Sequence, residues 1–208
     1  PPFDQIKTEH FAPAIDAAIV EQRKEIESIV NNSAVPDFEN TIVALERSGR
    51  QLQLIANILF NLNHAETNDE LQTVASSISP LLADLSSEII LNKNLFNKVK
   101  HVYDNCDRTQ LTVEQNTLLD ETYKKFIKNG IYLNEAQKER YREITRQLSE
   151  LSLIFQKKVL ADTNNYYLHI DDPGDLSGLP KNIVEIGAEN AKARGLDGWV
   201  YTLDNAEY

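Results

Sequence analysis

Four histidines, His10, His64, His101 and His169, and one cysteine, Cys106, are the side chains best suited to metal ligation or nucleophilic attack in this sequence. A helical zinc-peptidase site needs two imidazoles one turn apart, with a glutamate beside them as general base. No two of these histidines stand three or four residues apart, so no helix face presents a pair. Isolated histidines of this kind read as caps or surface residues. Cys106 follows His101 by five residues, but nothing near it supplies an orienting third group or an oxyanion hole, so it reads as a partly buried structural thiol. Gly187, Gly195 and Gly198 are too sparse for a phosphate cradle. The carboxylate pairs Glu25/Glu27 and Asp171/Asp172 fall on polar faces or turns, where solvation explains them. The sequence therefore offers no catalytic, cofactor-binding or metal-binding residue of its own, and chemistry must come from outside it.

The elements that would position such residues are mainly helical. A helix is expected from about Thr8 to Asn31, with Phe11, Ile15, Ala18, Ile19, Ile26, Ile29 and Val30 on one face. A second is expected from Glu39 to His64, with Ile42, Leu45, Leu52, Ile55, Leu59 and Leu62 inward and Gly49 marking close helix contact. Thr67-Asn68-Asp69-Glu70 reads as a capping box opening a third helix, bent at Pro80 and running toward Glu88. Asn92 caps a short helix carrying Leu95, Phe96, Val99 and Tyr103, and Thr112-Val113-Glu114-Gln115 opens one that ends at Gly130. Asn134 caps the longest, Glu135 to about Ala161. There Tyr141, Ile144, Leu148, Leu151, Phe155 and Val159 form the seam of a coiled-coil-like hairpin.

The pattern then changes. Tyr166 to Ile170 reads as a strand with one tyrosine ring inward and the other exposed, followed by a turn at Asp171-Asp172-Pro173-Gly174. A helix from Pro180 to Arg194, stopped by Gly195, and a strand from Trp199 to Leu203 complete the chain. The expected fold is mainly α: an antiparallel long-helix bundle or hairpins over residues 1–162, with a small two-strand αβ appendage over 163–208.

Composition excludes several partner classes. The 208 residues can bury roughly 70% of their unfolded surface, and the 41% apolar and 25% charged fractions are ordinary for a globular chain. A net charge of −11, with Arg140 to Arg146 interleaved with glutamate, argues against nucleic acid and anionic membranes. No apolar run approaches the roughly 18 to 20 residues of a membrane span. The lone cysteine forbids an intrachain disulfide and fits a reducing compartment. The chain opens Pro1-Pro2-Phe3, contains no methionine and closes on a helix-capping pair after a strand, so it is expected to be part of a longer protein.

Several stretches, taken in order, resemble one family. Pro1-Pro2-Phe3-Asp4-Gln5-Ile6-Lys7-Thr8-Glu9-His10-Phe11-Ala12-Pro13-Ala14 looks like the opening of bacterial peptidyl-dipeptidases, or dipeptidyl carboxypeptidases. These belong to the thimet-oligopeptidase family of zinc metallopeptidases. Pro36-Asp37-Phe38-Glu39-Asn40-Thr41 through Gly49 is similar to the next block, as is Phe60-Asn61-Leu62-Asn63. Leu91 to Asp104 and Leu176-Ser177-Gly178-Leu179-Pro180 through Trp199-Val200-Tyr201-Thr202-Leu203 continue the match.

The resemblance implies a parent enzyme roughly three times this length, with one zinc in its second half. It also implies a His-Glu-x-x-His helix with a downstream glutamate, none of which falls in this sequence. In such enzymes zinc-activated water attacks the peptide carbonyl, with the motif glutamate as general base. This chain would be an N-terminal, non-catalytic and inactive part that helps wall the substrate channel. Its partners would be short peptides and the missing C-terminal catalytic region. The compartment implied is the cytoplasm, or the periplasm if an export signal preceded Pro1. The alternatives are a non-enzymatic helical adaptor built on the Glu135–Ala161 seam, and a free-standing hydrolase using Cys106.

Overall fold

The first long helix, α1 (Phe11–Asn31), forms where the apolar periodicity demands it, after a single 3-10 turn at Thr8–His10. The structure is a computed structural model and describes residues 3–65 and 68–203. Phe11, Ile15, Ala18, Ile19, Ile26 and Ile29 are all buried along α1, so its amphipathic stripe is real. A π-helical stretch (Phe38–Val43) runs into the short α2 (Ala44–Arg47), and α3 spans Arg50–Ala65. Then come α4 (Asp69–Ile90), α5 (Lys93–Asn105), α6 (Val113–Lys128) and the 31-residue α7 (Glu135–Asn165). Strand β1 (Leu168–Ile170), α8 (Lys181–Ala193) and β2 (Trp199–Tyr201) close the chain. The fold is mainly α with one two-stranded sheet at the C-terminal end, as the sequence implies.

The chain divides into two compact units, residues 1–150 and 151–208. Within the first unit the core has two parts, and α1 serves both. Phe11, Ile15, Ala18 and Ile19 pack with Leu52 and Leu59 of α3 and with Leu71, Ile78 and Leu85 of α4. Ile26 and Ile29, two turns on, pack with Phe38, Ile42, Leu95, Val99, Leu119 and Phe126. Each such Ile, Leu, Val or Phe side chain, fully buried, contributes roughly 1.5 to 3 kcal/mol. Helix starts are fixed by local hydrogen bonds. The Asn92 side chain accepts from Leu95 N–H (3.0 Å), and Thr112 and Gln115 form a reciprocal box. Asn134 and Gln137 form another at the head of α7. Beyond α6, the Ile131 N–H returns to the Phe126 carbonyl (3.2 Å), placing the stop at Asn129-Gly130.

The structure corrects the sequence reading in four places. The single helix expected over Glu39 to His64 is broken at Ser48-Gly49. Gly49 adopts φ +72°, a left-handed conformation that costs an L-residue roughly 1–2 kcal/mol. Its amide donates to the Glu25 carboxylate of α1 (2.7 Å), while its carbonyl accepts the first bond of α3, from Gln53 N–H. Glu25, read as merely solvated, is thus the polar strap that holds the break. The third helix is capped by Asn68, whose side chain accepts from Leu71 N–H (2.8 Å); Thr67 lies outside the described residues.

The α7 seam is the third correction. Tyr141 is half-buried, but Ile144, Leu148, Leu151, Phe155 and Val159 are exposed, and Lys138 is the helix's buried residue. The fourth concerns Tyr166 and Tyr167, which are both exposed because the strand begins only at Leu168. The Tyr167 ring instead receives the Arg194 guanidinium, 5.7 Å from its centroid.

In the second unit β1 and β2 pair antiparallel, Leu168 opposite Tyr201 and Ile170 opposite Trp199. Val200 is fully buried, and α8 packs on β2 with Ala191 and Gly187 inward. A Cβ at Gly187 would lie 2.7 Å from the Tyr201 ring, so glycine permits this close approach.

Candidate functional site

The first unit carries a cleft of about 620 Å³. Its apolar floor is made by Leu52 and Ala56 of α3, Leu82, Leu85 and Ile89 of α4, and Phe126 of α6. Polar groups from four elements ring it: Gln22, Glu46, Ser48, Gln53, Glu121, Thr122 and Lys125. The Gly49 break places the cleft's edge, because it turns α2 away from α3 next to Gln22. No single stretch of sequence contains the site, so no motif could have announced it.

Polar groups at the cleft's rim are held by contacts within the chain. None of its lining residues is a histidine or cysteine. Ser48 Oγ is committed to the Leu45 carbonyl (2.7 Å). Lys124 hydrogen-bonds Glu121 (2.9 Å) and holds its carboxyl below the usual range, while Glu121 in turn raises the Lys124 ammonium. The Glu121–Lys124 pair therefore carries fixed charge beside the cleft near neutral pH.

The four histidines are not among the residues that line it. His10 Nδ1 accepts from Lys7 N–H (3.2 Å), and His64 and His101 are exposed on helices. His169 Nε2 lies 2.6 Å from the Asp197 carbonyl and 3.2 Å from an Asp171 carboxylate oxygen, tying the ends of the strand pair together. Cys106 is half-buried at the α5 C-terminus against the apolar core, as a structural thiol should be. Asp172 caps the turn at Pro173–Leu176 through Gly174 N–H (2.8 Å). Among the described residues, no group of three His, Cys, Asp or Glu side chains could hold a metal ion. Nor is any helix among them long and apolar enough by itself to cross a membrane.

Two polar arrangements escaped the sequence reading. Lys138 has a side chain only 3% exposed, with its ammonium 3.4 Å from the Leu91 carbonyl and 3.5 Å from Glu135. The Lys138 charge, helped by a hydrogen bond from Lys93, lowers the Glu135 carboxyl pKa. One turn before Tyr141, Lys138 anchors the head of α7 to the end of α4. The other arrangement is an aromatic stack joining α5 and α6. Tyr103 lies on Tyr123 (3.9 Å between centroids, 14° apart), and Arg108 caps Tyr103 while pairing with Asp120 (2.8 Å). Burial, and then a hydrogen bond to Tyr132, pushes the Tyr123 phenol up.

Comparison with known proteins relates the chain to peptidases. No family model matches the chain. Over 206 residues, 99% of its length, it is 37% identical to a dipeptidyl carboxypeptidase of Salmonella typhimurium and 34% identical to one of Escherichia coli. It is 30% identical over its whole length to an oligopeptidase A of Haemophilus influenzae. The chain spans 30% of the length of each of these relatives. The chain is therefore similar along its whole length to part of proteins named as dipeptidyl carboxypeptidases and oligopeptidases.

Proposed function

We propose that this chain is the non-catalytic N-terminal part of a zinc metallopeptidase that removes C-terminal dipeptides from oligopeptides. Its helices form part of the wall of the substrate channel, and the protein works in the cytoplasm, or in the periplasm if it is exported. The observation that carries the reading is the alignment. Identity runs through 99% of the chain to a dipeptidyl carboxypeptidase at 37%, against 30% to an oligopeptidase A. That difference favours dipeptide release over internal cleavage. The described residues do not fit a zinc ligand set. In this reading the metal and its ligands lie in the rest of the polypeptide, and no catalytic step is assigned to these residues. The contribution of this part is binding: an apolar floor for side chains, beside amides and hydroxyls able to meet a peptide backbone.

The test uses the native polypeptide, captured with an antibody against this segment and given an N-blocked tetrapeptide with and without a zinc chelator. Chelator-sensitive release of the C-terminal dipeptide is expected. No release from a polypeptide no longer than this chain would overturn the proposal and favour the helical adaptor.

A further inference from the structure

The apolar face of α7 has too many exposed side chains for a finished surface. Leu148 is 59% exposed, Leu151 58% and Phe155 69%, and Ile144, Ile154 and Val159 are exposed beside them. Large apolar side chains scattered singly need no explanation, but a continuous stripe of them marks an interface. At helical spacing, these residues and Tyr141 cover roughly 140° of the α7 surface, wider than a two-helix seam. Thr145, Gln147 and Ser152 lie between and beside them on one side of that face, while Glu143 and Glu150 flank the edge at Ile154 and Lys158 falls within it near its end.

These features decide what covers the face. A helix pairing with a second copy of itself does so through a narrow seam, and this face is wider than such a seam. A broad apolar face suits burial against a larger apolar body. More than two thirds of the length of each dipeptidyl carboxypeptidase relative lies outside the match, so a body of that size accompanies the chain if it belongs to such a polypeptide. We infer that the Ile144–Val159 face of α7 is the docking surface for the remaining, C-terminal part of the same polypeptide. This rests on the peptidase reading above. It adds which surface joins the two parts, and it makes α7 the element through which the cleft-bearing helices are held against the catalytic part.

The test is made on the full-length polypeptide carrying Leu148→Cys, Phe155→Cys or, as an exposed reference, Val113→Cys. Alkylated peptides are located by mass spectrometry, so that Cys106 and other thiols do not interfere. Thiols at 148 and 155 are expected to react about tenfold or more slowly than at 113, since reaction needs local opening. That protection should be the same at every protein concentration. Equal rates at the three positions would overturn the inference, and so would protection that fades on dilution, which assigns the face to a second copy. If a variant does not fold, hydroxyl-radical footprinting of the unsubstituted protein decides. Strong oxidation of Leu148, Leu151 and Phe155 rejects the docking surface, and suppressed oxidation supports it. Dipeptide release, measured on the same preparation, separates the two readings. Protected thiols without release remove only the peptidase assignment, and reactive thiols with release remove only the docking surface.

Discussion

Phe126 and Phe155 belong to helices with equally regular apolar stripes, yet one ring is 1% exposed and the other 69%. Phe126 points from α6 into a core shared with Leu119, Val99 and Ile42, with the Phe96 ring 5.7 Å away. Phe155 points from α7 into solvent. The pair teaches that periodicity reveals which face of a helix is meant to be buried, and reveals nothing about whether the burying partner is present.

The sharpest way to break the comparison is to truncate both rings. Phe126→Ala should lower the unfolding free energy of the chain by about 3 to 5 kcal/mol, the cost of a large cavity in a packed core. Phe155→Ala should change it by less than about 0.5 kcal/mol, as for an ordinary surface position. Urea titrations followed by circular dichroism would read both. A loss at Phe155 comparable to that at Phe126 would mean that α7 is already covered in the chain alone. In the full-length polypeptide the Phe155 cost should rise, if the docking surface is correctly placed.

Gly49 sharpens the buried side of the comparison. Gly49→Ala should cost about 1 to 2 kcal/mol, mainly because alanine resists positive φ. Its Cβ would also fall 2.3 Å from the end of the Gln22 side chain, but that flexible amide can swing away. Repeating the substitution in a Gln22→Ala background tests the cause. A cost that persists assigns it to the backbone, and one that vanishes assigns it to crowding.

This break also shows why part of the fold was legible and part was not. Starts at Asn92, Thr112 and Asn134 were legible because donor and acceptor lie three residues apart, within the reach of sequence inspection. The α1 face was legible because its partners are present. The stop at Gly49 was not, because its amide is satisfied by Glu25, 24 residues away on another helix. Without that partner, a lone glycine among helix formers reads as a tolerated interior residue. The cleft was illegible for a related reason: its floor comes from α3, α4 and α6, and each contributes residues that look like ordinary core. The lack of a histidine pair at helical spacing, by contrast, was plain from the sequence alone.

The smallest expected effect lies where α7 is anchored. Glu135 takes the charge of Lys138 and a hydrogen bond from Lys93 (3.4 Å), and its carboxyl pKa is lowered from the ordinary 4.5. Its position in the first turn of α7 also suits a negative charge, which the helix dipole favours there. A carboxyl with a depressed folded-state pKa binds protons more readily in the unfolded chain. Its stabilisation is therefore complete above 4.5 and is lost as pH falls through the lower folded-state value. Glu135→Gln should be slightly less stable than the parent at neutral pH, and the difference should shrink toward zero in acid. Salt should shrink it too, since Glu135 is exposed. Unfolding curves of parent and variant, compared above and below pH 4.5, would check the sign. A gap that widened in acid would contradict the assigned direction. A gap that ignored both pH and salt would mean that the head of α7 is held by the buried Lys138 stem and its reach to the Leu91 carbonyl, and not by the exposed ion pair.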